Sequence, residues 1–173
     1  MKAKRLIVIG AIVLLAIIVY SSIKNTYNKM VTLREQVENQ WSNVENVYQR
    51  RHDLIPNLVE TVKGYAEHEQ ETFKQVTEAR SKATSINIDG DNLTPSKLKK
   101  YQKAQSSLGS ALSRLMMVKE RYPDLKANEN FSQLQAQLEG TENRIAVERR
   151  KFNQAAKKYN TYIKKFPQKM YAN

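Results

Sequence analysis

The sequence contains no cysteine and little glycine or proline: its 173 residues include 5 glycines and 4 prolines. The lack of cysteine excludes disulfides, thiolate chemistry, cysteine-based metal sites and lipidation of cysteine. The scarcity of glycine and proline, together with abundant Ala, Leu, Gln, Glu, Lys and Arg, favours long helices over a sheet. The sequence therefore predicts an all-α fold.

Histidine is also scarce, since His52 and His68 are the only two. A zinc-protease helix needs a second histidine four residues after the first, and Thr72 stands in that position after His68. A di-iron site in a helical bundle needs a Glu three residues before each histidine, which neither has. Residues 87–91 lack the spacing and the closing Glu of a calcium loop, and no Gly-rich phosphate loop occurs. We predict no metal, no cofactor and no enzyme activity.

Acidic residues are outnumbered, with 17 Asp and Glu against 29 Lys and Arg, which gives a net charge of +12 at pH 7. Such an excess favours an anionic neighbour, such as lipid headgroups or cell-wall polymers, but a solvated basic surface is an equally good interpretation. Tyrosines interleave with the lysines but fall on an apolar helical seam, so no nucleic-acid partner is predicted. The candidate contacts with an anionic surface are Lys157, Lys158, Lys164 and Lys165.

One long stretch lacks charge altogether, from Leu6 to Ile23. As a helix it spans roughly 27 Å, close to the thickness of a bilayer's hydrocarbon core. A cleaved signal peptide is the alternative, but the run is longer than a usual signal-peptide core and the helical pattern continues beyond it. We predict an uncleaved single-pass membrane anchor. The denser basic flank at Lys2, Lys4 and Arg5 favours a cytoplasmic N-terminus and an external domain.

Two helical seams, in which apolar residues recur in steps of three and four, lie at residues 27–48 and 55–83. Proline removes a hydrogen bond inside a helix but is accepted in a first turn, so Asp53 is a suitable N-cap for a helix that begins just before Pro56. The pattern is also compatible with one kinked helix. Because a single helix through both seams would be roughly 90 Å long with no cover for its apolar stripe, we predict two antiparallel helices joined by a tight turn at residues 51–53.

The clearest predicted loop, residues 85–95, ends with Thr94 as an N-cap and Pro95 at the first helical position. Two further seams follow at residues 98–115 and 131–166, and a proline stands beyond each. Four helices of comparable length with short connections are typical of an antiparallel up-down bundle. The predicted domains are an N-terminal flank with the transmembrane helix, residues 1–23, and a four-helix bundle, residues 24–173.

The rarest residues gather in residues 40–69, which hold the only tryptophan and both histidines. A histidine beside Arg and Asp suggests a general base with an orienting carboxylate, but no nucleophile is paired with it, and successive helical positions point to different sides. We interpret the stretch as a corner between helices and a candidate surface for a protein partner. Its candidate interaction residues are Trp41, Arg50, Arg51, His52, Asp53 and Asn57.

Two carboxylates, Glu69 and Glu148, fall within the apolar seams. A buried carboxylate costs free energy unless it is paired or hydrogen-bonded. Either these residues are paired inside the fold or the seams rotate enough for both to reach water. The sequence leaves both alternatives open, and neither implies catalysis.

Several motifs of this chain occur together and in this order in a known family. They are Gln40-Trp41-Ser42, Arg50-Arg51-x-Asp53-Leu54-Ile55-Pro56-Asn57-Leu58-Val59, Lys63-Gly64-Tyr65-Ala66-x-His68-Glu69, Tyr122-Pro123-x-Leu125-Lys126-Ala127, Phe131-x-x-Leu134, Thr141-Glu142-Asn143-x-Ile145 and Phe166-Pro167. The chain after the anchor resembles the bacterial LemA family over nearly its whole length.

The resemblance implies a membrane-anchored, all-helical domain with a four-helix, bromodomain-like topology and no established catalytic activity. It also implies association with other membrane proteins, including proteases, and it brings no agreed active-site residues. Under this resemblance the motif around Arg51 marks either a binding surface or a corner in which Arg51 pairs with an acidic residue such as Glu142. The predicted function is a membrane-anchored scaffold or interaction module, with a basic clamp on anionic lipids or wall polymers as the alternative. Whether the chain self-associates stays open.

Overall fold

The structure, a computed structural model, describes residues 2–88 and 93–171, and regular secondary structure within them is helical throughout. This confirms the predicted all-α class. Part of the predicted loop at residues 85–95 lies outside the described residues. The helices are α1 (Lys2–Lys63), α2 (Gln70–Thr84), α3 (Pro95–Met117), α4 (Pro123–Lys126) and α5 (Glu129–Ile163), with 3-10 turns at Val118–Arg121 and Gln168–Met170.

Helix α1 passes through Pro56 without a break, so the predicted turn at residues 51–53 is wrong. A proline at position 56 has no N–H to donate to the carbonyl of His52, four residues earlier. That carbonyl is satisfied from another helix, because Nε of Arg80 in α2 donates to it at 3.0 Å. The bond that proline removes is thus replaced, and Asp53 is a mid-helix residue rather than an N-cap.

The chain leaves α1 at Lys63, ten residues later than predicted. The last turn tightens as the backbone N–H of Tyr65 and that of Ala66 both donate to the carbonyl of Val62, at 3.1 and 2.9 Å. The prediction from helix length failed for two reasons. The second seam belongs to two helices, α1 and α2, rather than to one. The large apolar side chains from Leu6 to Ile23 are exposed, so this part of α1 has no protein cover.

Helix α3 begins where its predicted N-cap places it, and α5 begins after an N-cap that was not predicted. Thr94 caps α3, its hydroxyl oxygen accepting from the backbone N–H of Lys97 at 3.3 Å, and Pro95 occupies the first position. Asn128 caps α5 in the same way, with its Oδ1 accepting from the N–H of Phe131 at 2.8 Å. These polar side chains satisfy N–H groups that have no partner inside the helix.

The chain forms two compact units, to which α1 and α5 both contribute residues. Unit 1 comprises residues 1–39 and 152–173, and unit 2 comprises residues 40–151. Buried residues of unit 1 include Met30, Leu33 and Phe152. The core of unit 2 takes apolar side chains from all five helices, among them Leu58, Val76, Leu108, Leu125 and Phe131, each 3% exposed or less.

Candidate functional site

Trp41 is a structural anchor inside unit 2, only 2% exposed. Its indole Nε1 donates to the carbonyl of Ile88 at 2.9 Å, which ties α1 to the segment that follows α2. The indole meets the ring of Tyr101 edge-on, with 5.4 Å between centroids, and Tyr101 meets Tyr48 in the same way. Such edge-to-face pairs add to the free energy gained by burial. Trp41 therefore serves the fold and is not presented to a partner.

Arg51 is buried, 3% exposed, yet it carries a full charge. Its Nη1 donates to Oε1 of Glu142 at 2.5 Å, which is the acidic partner expected from the motif. Its Nη2 donates to the side-chain and backbone oxygens of Gln105, and its guanidinium lies over the ring of Tyr48 at 5.0 Å. A buried charge is tolerated only when it is paired and hydrogen-bonded. These contacts supply both conditions and link α1, α3 and α5.

His52 joins the same cluster, since its Nε2 lies 3.2 Å from Oε1 of Gln105. The carboxamide oxygen only accepts, so Nε2 carries the proton and donates. Burial lowers the pKa of His52 below its ordinary value of 6.5, against the opposing effect of the Gln105 hydrogen bond. The nearby Arg51 and Arg80 lower it further. The ring is consequently neutral at neutral pH and held as a structural donor, facing a carboxamide rather than a carboxylate.

The structure separates the six candidate interaction residues by helix face. Trp41, Arg51 and His52 are buried, whereas Arg50, Asp53 and Asn57 are exposed. The exposed three are spaced three and four residues apart, which places them on one side of α1. The carboxylate of Asp53 accepts a bond from Gln49 at 2.8 Å. Only this outer face remains available to a partner.

The two seam carboxylates are each partly shielded and paired with a cation. Glu69 lies just before α2, where its side chain is 13% exposed and bonds Nη2 of Arg121 at 3.0 Å. Glu148 is 18% exposed and bonds Nζ of Lys151 at 2.8 Å. His68, next to Glu69, is exposed. Among the described residues, no group of three or more His, Asp or Glu side chains is arranged to hold a metal ion.

A polar groove of about 690 Å³ lies beside Arg51 in unit 2. Its lining includes Glu142 and the cationic residues Arg51, Lys99, Lys103 and Arg149. Burial raises the pKa of Tyr48, another lining residue, while Arg149 and Arg51 oppose the rise. The groove is polar and cationic, and it holds no nucleophile paired with a base.

The predicted lysine cluster lies in unit 1, where the structure adds a residue that the sequence did not single out. A groove of about 440 Å³ is lined by Lys157, Lys158 and Lys165, together with Lys29 of α1. Lys164 is exposed but is not part of this lining. The sequence pattern could not reveal this set, because Lys29 is separated from the other lysines by more than 120 residues.

Two further residues of unit 2 were missed as functional positions. Gln105 is a buried polar residue within the apolar seam of α3, and that mismatch is the available signal, since a buried carboxamide needs partners. Arg80 gave no such signal. Its role follows only from the carbonyl that Pro56 leaves without a donor.

The sequence of the chain is similar to that of several known proteins. The profile of the LemA family matches residues 40–173. The magnetosome protein MamQ 2 of Paramagnetospirillum magneticum is 30% identical, over 82% of this chain and 58% of its own length. Protein LemA of Metamycoplasma hominis is 29% identical, over 80% of this chain and 60% of its own length. The chain thus spans about three fifths of the length of these relatives.

Proposed function

Because the chain belongs to the LemA family, we propose that it is a single-pass membrane protein whose helical domain acts as a scaffold for other proteins. The first part of α1 is long and apolar enough to cross a membrane. Residues 6–23 would form the anchor, and the domain would follow from residue 24 on the external side of a bacterial cell membrane. The denser basic flank before the span supports this orientation.

The domain proposed here is an antiparallel four-helix bundle. Its members are the part of α1 after the anchor, with α2, α3 and α5. The observation that supports it is the single core of unit 2, to which all four long helices contribute. The turn between the first two members falls after Lys63 rather than at residues 51–53.

The scaffold role rests chiefly on one observation. The polar cluster of unit 2 is occupied by its own side chains, while the outer face of the same turns of α1 is exposed and polar. Arg50, Asp53 and Asn57 on that face offer a cation, a carboxylate and an amide. A rigid helix that presents such a face is suited to contact with another protein. We propose other membrane proteins as partners, proteases among them, and no catalytic activity for the chain itself.

Photo-crosslinking in intact cells tests this role. A benzophenone amino acid replaces Arg50 or Asn57, and the matched control carries it at Asp124, an exposed residue of α4. We expect one discrete protein adduct from the two α1 positions and none from the control. Equal adducts from all three positions, or adducts with lipid alone, would contradict a protein-binding face on α1.

Orientation and anchoring have their own test. The chain has no cysteine, so Lys100→Cys introduces a single label site in an exposed position of α3. A membrane-impermeant maleimide is expected to label this variant in intact cells. Labelling only after lysis would place the domain in the cytoplasm. Sequencing of the mature N-terminus checks the anchor, since a chain that begins after Ser21 would show that the apolar segment is removed.

A second candidate function is a basic clamp on anionic lipids or cell-wall polymers. Unit 1 supports it, because this unit holds 11 Lys and Arg against 2 Asp and Glu. Charge reversal at Lys157, Lys158, Lys164 and Lys165 tests the clamp in the full-length chain. The clamp is supported if salt weakens the binding of the wild-type chain to poly(glycerol phosphate) more than it weakens that of the charge-reversed variant. Binding that does not change on charge reversal would leave the scaffold role alone.

A further inference from the structure

The lysine groove of unit 1 has a lining without any carboxylate. Eight residues line it, and four of them are lysines. The others are uncharged, namely Leu33, Gln154, Thr161 and Tyr162. On α5 the lining residues follow Gln154 by three, four, seven, eight and eleven positions, so they share one helix face. The groove therefore combines clustered positive charge with hydroxyl and amide groups.

Three lysines of unit 2 provide a contrast. Lys63, Lys126 and Lys151 each form an ion pair with a glutamate, at 3.0, 3.0 and 2.8 Å. The structure describes no such pair for Lys29, Lys157, Lys158 or Lys165, all of them exposed. Like charges gathered in one groove repel each other unless an anion neutralises them. The four lysines thus form a site that an external anion would stabilise.

The position of Lys29 along α1 indicates where that anion comes from. Lys29 is six residues beyond Ile23, the end of the uncharged run, and α1 is continuous between them. Six helical residues rise about 9 Å, and the polar headgroup layer extends roughly 5–8 Å beyond the hydrocarbon core on each side. A lysine side chain at this height reaches back into the headgroups. Both the span and the groove belong to unit 1.

We propose that this groove binds the phosphate-bearing headgroup of an anionic phospholipid. The ammonium groups of the four lysines supply charge-assisted hydrogen bonds to the phosphate oxygens. Thr161, Gln154 and the hydroxyl of Tyr162 add neutral hydrogen-bonding groups for the glycerol part. The inference rests on the proposed membrane anchor, which sets the height of Lys29.

The test uses the full-length chain in nanodiscs of phosphatidylglycerol and phosphatidylcholine, with native mass spectrometry of the lipids that stay bound. The test variant replaces Lys29, Lys157, Lys158 and Lys165 with Gln. The matched control replaces Lys97, Lys99, Lys100 and Lys103 of unit 2 with Gln, which removes the same number of positive charges. Because each lysine near an anionic surface contributes about fivefold to the affinity before screening, we expect retention of phosphatidylglycerol to fall roughly 10- to 100-fold in the test variant only.

Several outcomes would overturn the proposal. Equal losses in both variants would indicate attraction by net charge alone, and equal retention of phosphatidylcholine would indicate no preference for an anionic headgroup. Competition by inorganic phosphate or by poly(glycerol phosphate) as effective as that by phosphatidylglycerol would assign the groove to a free phosphate or a polymer. Circular dichroism of both variants checks that the helices are intact.

Carbonate extraction of the wild-type chain separates this inference from the proposed function. Extraction of the chain from the membrane would refute the anchor on which both rest. Retention of the chain without a lipid preference would refute only the headgroup site.

Discussion

The two compact units of this protein differ in how they treat charge. Unit 1 carries a net charge of +9 from 13 charged residues, and unit 2 carries +3 from 33. Within unit 2 the structure describes five ion pairs, and one arginine is buried within a cluster of partners. In unit 1 the lysines of the groove face outward without carboxylates. The charge cluster around Arg51 links three helices of unit 2, whereas the proposed role of the lysines in unit 1 is contact with an anionic headgroup.

The largest effect is expected at the buried arginine of unit 2. Glu142→Ala leaves the buried guanidinium of Arg51 without its half-exposed counterion, so we expect a loss of about 2–3 kcal/mol in the free energy of unfolding. Chemical denaturation of the detergent-solubilised chain measures it. Glu60→Ala is the matched control, since Glu60 forms an exposed pair with Lys63, and it should cost less than about 0.5 kcal/mol. Similar losses from both variants would show that the cluster is no more important than a surface pair.

A smaller effect is expected at Pro56. Arg80→Met removes the donor to the carbonyl of His52 and should cost about 1–2 kcal/mol, the penalty for an unsatisfied buried acceptor. Pro56→Ala restores an N–H that bonds the same carbonyl within α1. The cost of Arg80→Met should therefore be smaller in the Pro56→Ala background, as a double-mutant cycle of unfolding free energies measures. Additive effects of the two substitutions would contradict this explanation of the unbroken helix.

The pH dependence of unit 2 provides a third test. The folded-state pKa of His52 lies below its ordinary value of 6.5 because the ring is buried. The unfolded chain then binds a proton more readily than the folded one, so stability is present at neutral pH and is lost as the pH falls below about 6.5. His52→Gln should reduce this loss between about pH 7.5 and pH 5.5, whereas His68→Gln, at an exposed position, should leave it in place. Melting temperatures of the wild-type chain and of the two variants over this pH range measure the loss of stability. An unchanged loss in His52→Gln would contradict the prediction.

The smallest effect on stability is expected in unit 1. Replacement of Lys157, Lys158, Lys164 and Lys165 by Gln should change the free energy of unfolding by no more than about 0.5 kcal/mol, as is usual for exposed positions without specific partners. Denaturation under the same conditions measures it. A large loss would mean that these lysines hold unit 1 together, and the contrast between the units would disappear.

Much of the fold could be predicted from local sequence. The period of the apolar residues predicts the helical class, and Thr94 caps α3 as its position before Pro95 predicts. The wrong turn at residues 51–53 has a physical origin. A proline within a helix is expected to break it, and the compensation by Arg80 comes from a contact between residues 28 positions apart. No local pattern contains that information.

The candidate site was predictable only in part, because local patterns do not show which distant residues meet. The family resemblance left open whether the motif around Arg51 marks a binding surface or a corner in which Arg51 pairs with Glu142, and the structure contains that pair. The division of the candidate residues by burial depends on which face of α1 meets the core, and this was obscured by the predicted turn. Lys29 could not be connected with the distant lysines, because only the tertiary structure brings them into one groove.

Depth measurement by spin labelling tests the central claim, that the lysine groove of unit 1 meets the membrane surface. The absence of cysteine allows a single label at Lys158→Cys in the groove or at Asn39→Cys, an exposed position of the same unit on α1, 16 residues beyond Ile23. The full-length chain is placed in nanodiscs whose lipid headgroups chelate nickel. Sixteen helical residues rise about 24 Å, so the account predicts strong relaxation enhancement by the headgroup nickel at position 158 and little at position 39. Equal enhancement at both positions, or enhancement at position 39 alone, would contradict it.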